Sequence, residues 1–146
     1  MDRTDTIAAL NGLLQILYRS LPLYLDGKRH WAPRGREEIA GAVAEIARDY
    51  QAYIQRVADR IYRWDGCIEP GQFPLEFTAM HDLGLDYLLK ELVERQRRDV
   101  VAIGRCAEAV SDCPEARALA EEILGNARGH LDNLEELAAN GEAVSA

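Results

Sequence analysis

The sequence predicts an all-α fold, an antiparallel four-helix bundle with a long crossover between its second and third helices. Three observations carry that expectation. Apolar residues recur every three to four positions through four segments, as the inner face of a bundled helix requires. No segment alternates apolar and polar residues in the manner of a half-buried strand. The breaks between segments fall at Gly and Pro clusters, one of them long enough to cross a bundle from end to end.

The first helix is expected over about 5–26, behind an N-cap at Thr4 or Asp5, with Ile7, Leu10, Leu14, Leu17, Leu21 and Tyr24 as its stripe. Pro22 falls inside that stripe and is expected to bend the last turn. A loop with Trp31, Pro33 and Gly35 precedes a second helix over about 36–64, whose stripe is Ile39, Val43, Ile46, Tyr50, Tyr53, Val57 and Trp64. Gly66, Pro70, Gly71 and Pro74 mark the next break. The link from Gly66 to Phe77 spans about 35 Å when extended, which is bundle length. The third helix is expected over about 76–111, with Leu85, Leu89, Leu92, Gln96, Val100, Ile103, Ala107 and Val110 inward. Ser111 or Asp112 is the expected cap of the fourth, over about 114–138, and Pro114 suits its first turn. Its inner face is Ala116, Leu119, Ile123, Ala127, His130, Leu134 and Leu137, and the tail from Ala138 reads as frayed.

At 146 residues the chain fits one domain, 1–146, with length enough to bury a full core. Its 48% apolar and 29% charged residues are ordinary for a globular protein. A formal net charge of −8 argues against polyanion binding, so nucleic acid is not an expected partner. No run of about 18 apolar residues predicts a membrane span. The N-terminus lacks the basic-then-apolar pattern of a signal peptide, so the expected location is the cytoplasm. Cys67, Cys106 and Cys113 are scattered, without zinc spacing, and read as reduced thiols. No nucleophile motif or phosphate-cradling glycine loop stands out.

Leu10-Asn11, Ala58-Asp59-Arg60-Ile61 with Gly66, and Gly129-His130-Leu131-Asp132 with Leu134-Glu135 resemble bacterioferritins and the miniferritins that protect DNA during starvation. The likeness spans Leu10 to Leu137. It implies a ferritin-like bundle, an oligomer (a dimer or a larger assembly, or a subunit beside a ferritin-type partner), and a role in iron or oxidative-stress physiology. Iron is the metal it points to, although no cofactor is firmly implied. A di-iron ferroxidase centre needs a Glu from each of two helices and a Glu-x-x-His pair from each of the other two. Carried over by motif, those positions fall on Leu17, on Tyr50 and Tyr53, on Gln96, and on Ala127 and His130. Only the histidine is a ligand type, so the centre reads as degenerate, with no catalytic residue. A gap-free register offers Glu94 in place of Gln96, but Glu94 points away from the apolar stripe. The expected substitute is a buried cluster in which the two phenols, the amide and the imidazole satisfy one another.

The miniferritin site lies at a dimer interface, and His30-Trp31 with Arg34-Gly35 resembles its histidine-tryptophan turn, with Asp59 on an acidic ligand position. Two alternatives stay open. One is a metal-free structural or interaction bundle. The other is an iron-oxidising ferritin with a non-standard metal site drawn from His130, Glu94, Asp86, Asp59 and His30.

Overall fold

The first expected helix is divided in two. Among the residues that the computed structural model describes (3–26, 37–77 and 85–145), α1 runs Arg3–Tyr18 and α2 runs Leu21–Asp26. Pro22 is the cause. In a continuous helix its ring would press on the Tyr18 carbonyl, and its missing N–H would leave that carbonyl unbonded. Ser20 makes the joint: its hydroxyl donates to the Leu17 carbonyl at 2.8 Å, while its own carbonyl accepts the Tyr24 amide at 3.1 Å. The stripe survives the break, with Leu10, Leu14, Leu17, Leu21 and Tyr24 all buried.

Helix α3 (Glu37–Arg63) follows the expected span closely and buries Ile39, Val43, Ile46, Tyr50, Val57 and Ile61. It ends in a Schellman turn, in which the Gly66 amide reaches the Ile61 carbonyl (2.9 Å) and the Asp65 amide the Tyr62 carbonyl (3.0 Å). Asp65 takes the left-handed position, at φ 59°. Gly66 stands where a Cβ would come within 2.9 Å of methyl groups on both Ile61 and Ile7, so only glycine fits without a shift.

The third expected helix starts later than 76. Residues 75–77 form a single 3-10 turn, and α4 is described over Leu85–Ala109. Helix α5 (Pro114–Ser145) outruns its expected end at 138, so the tail read as frayed is helical to Ser145. Cys113, rather than Ser111 or Asp112, stands at the cap position, its carbonyl accepting the Arg117 amide at 2.8 Å. Pro114 comes next, where its missing N–H costs nothing.

The four long helices form a ring in the order α1, α3, α5, α4. Each runs antiparallel to its neighbours. The guanidinium of Arg3, at the start of α1, lies over the Trp64 ring just past α3. Arg60–Glu115 and Arg56–Glu122 run in opposite sequence order along α3 and α5. Gly12 stands beside Cys106, while Arg19, just past the end of α1, shares a hollow with Arg95, earlier in α4. The diagonal helices α3 and α4 are therefore parallel, and the chain between them must travel the bundle's length.

Segment 64–77 makes that journey along α1, held by three side chains spaced four apart. Asn11 donates to the Cys67 carbonyl (2.8 Å) and accepts the Glu69 amide (2.9 Å). Gln15 donates to the Glu69 carbonyl (2.8 Å), and Arg19 to the Gln72 carbonyl. Phe73 and Phe77 then pack against Tyr24, with ring centroids 5.2 and 5.4 Å away. The described residues contain no strand, and no described helix is long and apolar enough to cross a membrane.

Candidate functional site

At mid-height the interior is closed by a hydrogen-bonded knot between three helices. Gln96 on α4 is 1% exposed and Tyr50 on α3 is fully buried. The Gln96 Nε2 donates to the Tyr50 hydroxyl at 2.9 Å and to the Ala127 carbonyl on α5 at 3.0 Å. Ala127, itself fully buried, is small enough to leave the amide room. Burial drives the Tyr50 phenol far above its ordinary pKa, and nearby Asp99 and Asp49 add to the rise against the Gln96 hydrogen bond. It is a neutral phenol at any physiological pH, which makes it a poor metal ligand. The Gln96 Oε1 is buried without a hydrogen-bond partner.

His130 does not join this knot. Its Nε2 donates to the Asp49 Oδ2 at 2.8 Å, and the Asn126 Nδ2 reaches the same oxygen at 2.9 Å. Tyr50 meets the imidazole only edge-on, with ring centroids 6.3 Å apart. Partial burial raises the Asp49 carboxyl, but the hydrogen bonds from Asn126 and His130 and the charges of His130 and Arg48 outweigh it. The group is held below the ordinary carboxylate range. The Asp49 side chain stays 40% exposed, so this pair sits at the edge of the α3–α5 seam.

Tyr53 is a second departure from the expected cluster. It lies three residues past Tyr50, which turns it about 60° away from the inner stripe. There its hydroxyl bonds Glu122, and the Arg56 guanidinium lies 5.5 Å from its ring centroid. Burial and then the Glu122 carboxylate push this phenol up as well. The expected four-group cluster is thus two separate arrangements: Tyr50 with Gln96 inside, and His130 with Asp49 at the seam.

Leu17 is an ordinary core residue on α1. Gln96 faces inward while Glu94 is half-buried on the flank, as the helical phase of α4 demands. Asp59 is exposed and accepts a hydrogen bond from Gln55 at 3.0 Å. It lies ten residues beyond Asp49 on α3, about 15 Å along the axis. Asp59 and His130 therefore do not share a site. Asp86 falls in the first turn of α4, but its side chain, like all of His30, lies outside the described residues.

Chemically, the His130–Asp49 pair offers one imidazole and one carboxylate. Glu122, about two turns earlier on α5, is engaged by Arg56 at 2.5 Å. Among the described residues no three His, Cys, Asp or Glu side chains converge to hold a metal ion. The three cysteines are free thiols, and burial raises the Cys106 pKa, which makes it less reactive.

Sequence reasoning missed Asp49, Asn126 and the structural part of Asn11. Asp49 reads as a solvated charge because it flanks the stripe. Asn11 did carry a signal: a polar amide inside an apolar helix face must find partners. It also missed a hollow of about 270 Å³ between α1, the crossover and α4, of mixed lining, whose charged groups are Arg19, Arg95, Arg98 and Asp99. Compared with models of known protein families, curated proteins and solved structures, the chain matches none.

Proposed function

We propose that the chain is a ferritin-like subunit, related to bacterioferritins and miniferritins, that serves iron or oxidative-stress physiology as a non-catalytic component of a cytoplasmic homo-oligomer. The observation that carries this reading is the knot of Tyr50, Gln96 and the Ala127 carbonyl. It occupies the middle of the bundle, where a di-iron protein of this architecture needs converging carboxylates and imidazoles. The helix ring with its lengthwise crossover supports the ferritin-like reading, because that connection distinguishes such bundles from simple up-down ones. A neutral amide and phenol do not bridge cations as carboxylates do, so the interior serves stability in place of oxidation.

The test is elemental analysis of protein purified from iron-supplemented cells, with light scattering of the same sample. The expected result is no stoichiometric transition metal in an assembly of two or more chains. About one or two irons per chain, the load of a working di-iron subunit, would replace this reading with an enzyme that uses a non-standard site. A metal-free monomer would leave only a structural bundle.

A further inference from the structure

The hollow between α1, the crossover and α4 shares no lining residue with the central knot or the His130 seam. Its volume of about 270 Å³ equals that of about nine liquid waters, below the range of pockets that take drug-sized ligands. Ile16 and Pro74, both part-exposed, supply apolar wall, and Arg19, Arg95, Arg98 and Asp99 supply charge.

The three arginines are not equivalent. Arg95 is already committed, with Nη2 2.8 Å from Glu76, Nε 3.2 Å from Glu91, and its guanidinium 4.8 Å from the Phe77 ring centroid. Arg19 spends its Nε on the Gln72 carbonyl, which leaves its terminal nitrogens available. Arg98 is exposed and makes no ion pair among the described residues. Asp99 is half-buried beside them, yet its carboxyl accepts no hydrogen bond among the described residues. A carboxylate lining the same wall as three guanidiniums without closing on any of them leaves room for a guest between.

We propose that this hollow binds a small monocarboxylate with a short apolar tail, its carboxylate held by Arg98 and Arg19 and by a hydrogen bond from Asp99, its tail against Ile16 and Pro74. The charges favour an anion. Glu76 and Glu91 offset Arg95, while Arg19 and Arg98 are left, among the described residues, with only Asp99 to balance them. A cation would face those guanidiniums, and a fully hydrated inorganic ion would gain nothing from the apolar wall. Burial pushes the Asp99 carboxyl up to about 7 against the lowering pull of Arg95 and Arg98, so near neutral pH its protonated form can donate a hydrogen bond to a bound carboxylate. The groups facing it are Arg95 and Arg98 on its own helix, Arg19 just past α1, the Tyr50 phenol on α3, and, through Arg95, Glu91 and the crossover's Glu76. The site is independent of any ferritin-like role.

The experiment is calorimetric titration of the full chain with 4-methylpentanoate at pH 6 and pH 8, beside 4-methylpentanamide and inorganic phosphate. The acid is expected to bind with proton uptake. Its affinity should fall about tenfold between the two pH values, as protonated Asp99 drops from roughly nine-tenths to one-tenth. Arg98→Ala should weaken binding about tenfold through loss of a charge-assisted contact, and Asp99→Asn should bind with the pH dependence removed. Absence of binding by the acid overturns the proposal, as does equal binding of the amide or tighter binding of phosphate. So does an unchanged pH slope in Asp99→Asn.

Discussion

Gln96 and Asp99 stand three residues apart on α4, less than one helical turn, and meet opposite fates. Gln96 points into the centre, where Tyr50 and the Ala127 carbonyl take both its amide hydrogens. Asp99 points toward the α1 side, into a hollow, with no hydrogen-bond partner among the described residues. The first polar group is buried among partners that belong to the fold. The second is half-buried beside a hollow, among guanidiniums that do not close on it. A polar side chain inside a helical protein is not by itself a sign of function. What separates structure from recognition is whether the fold already supplies what the group needs.

The contrast is broken most directly at Gln96. Gln96→Ala orphans the Tyr50 hydroxyl and opens a cavity, at an expected cost of roughly 2–4 kcal/mol in urea unfolding. The double replacement Tyr50→Phe with Gln96→Leu removes both partners and keeps the volume, so most of that loss should return. The unpartnered Gln96 Oε1 is a further reason for the recovery, because leucine has no acceptor to desolvate. If the double variant is as unstable as the single one, the knot is not a self-contained filler and its geometry serves another end.

Asp99 sharpens the other side of the comparison through pH. Its folded value, about 7, lies above the ordinary 3.8, so the native state binds more protons than the unfolded chain between those limits. Its contribution to stability is most favourable below pH 4, declines as pH rises toward 7, and is level beyond. The gap between the two values sets a ceiling of about 4 kcal/mol, and water in the open hollow brings the expected effect to about 2 kcal/mol. Asp99→Asn should therefore stabilise the protein at pH 8 and change little at pH 4. Equal effects at both pH values would mean that the carboxyl is well solvated and the hollow has no special chemistry.

Much of this fold is legible from residue spacing because helical phase is a local property. The stripes on α3, α4 and α5 need only the helical repeat, and the same repeat turns Gln96 inward and Glu94 aside. The crossover was legible from length alone. Pro22 signalled a bend, yet whether the helix bends or parts depends on a partner for the freed groups, here Ser20. The site was less legible because it depends on which flanks meet. His130 takes its partner from Asp49, 81 positions earlier, through the angle at which α5 packs on α3. The hollow needs three separate segments and is defined by what they fail to fill, which no stripe encodes.

The smallest expected effect concerns that seam. His130 is mostly buried, and Asp49 accepts from both its imidazole and Asn126. His130→Ala should cost about 1–2 kcal/mol at neutral pH, from lost packing and one charge-assisted hydrogen bond. Because the Asp49 carboxyl is held below its ordinary value, its share of that stability is complete above about pH 4 and disappears as acid protonates the folded carboxylate. The gap between wild type and His130→Ala should therefore narrow in urea titrations carried below that point, while Glu94→Ala stays within about 0.5 kcal/mol throughout. A gap that does not narrow would assign the loss to packing alone and reduce Asp49 to a bystander. A large effect at Glu94 would place a carboxylate among the groups that matter to the interior, and the division between knot and hollow would have to be redrawn around it.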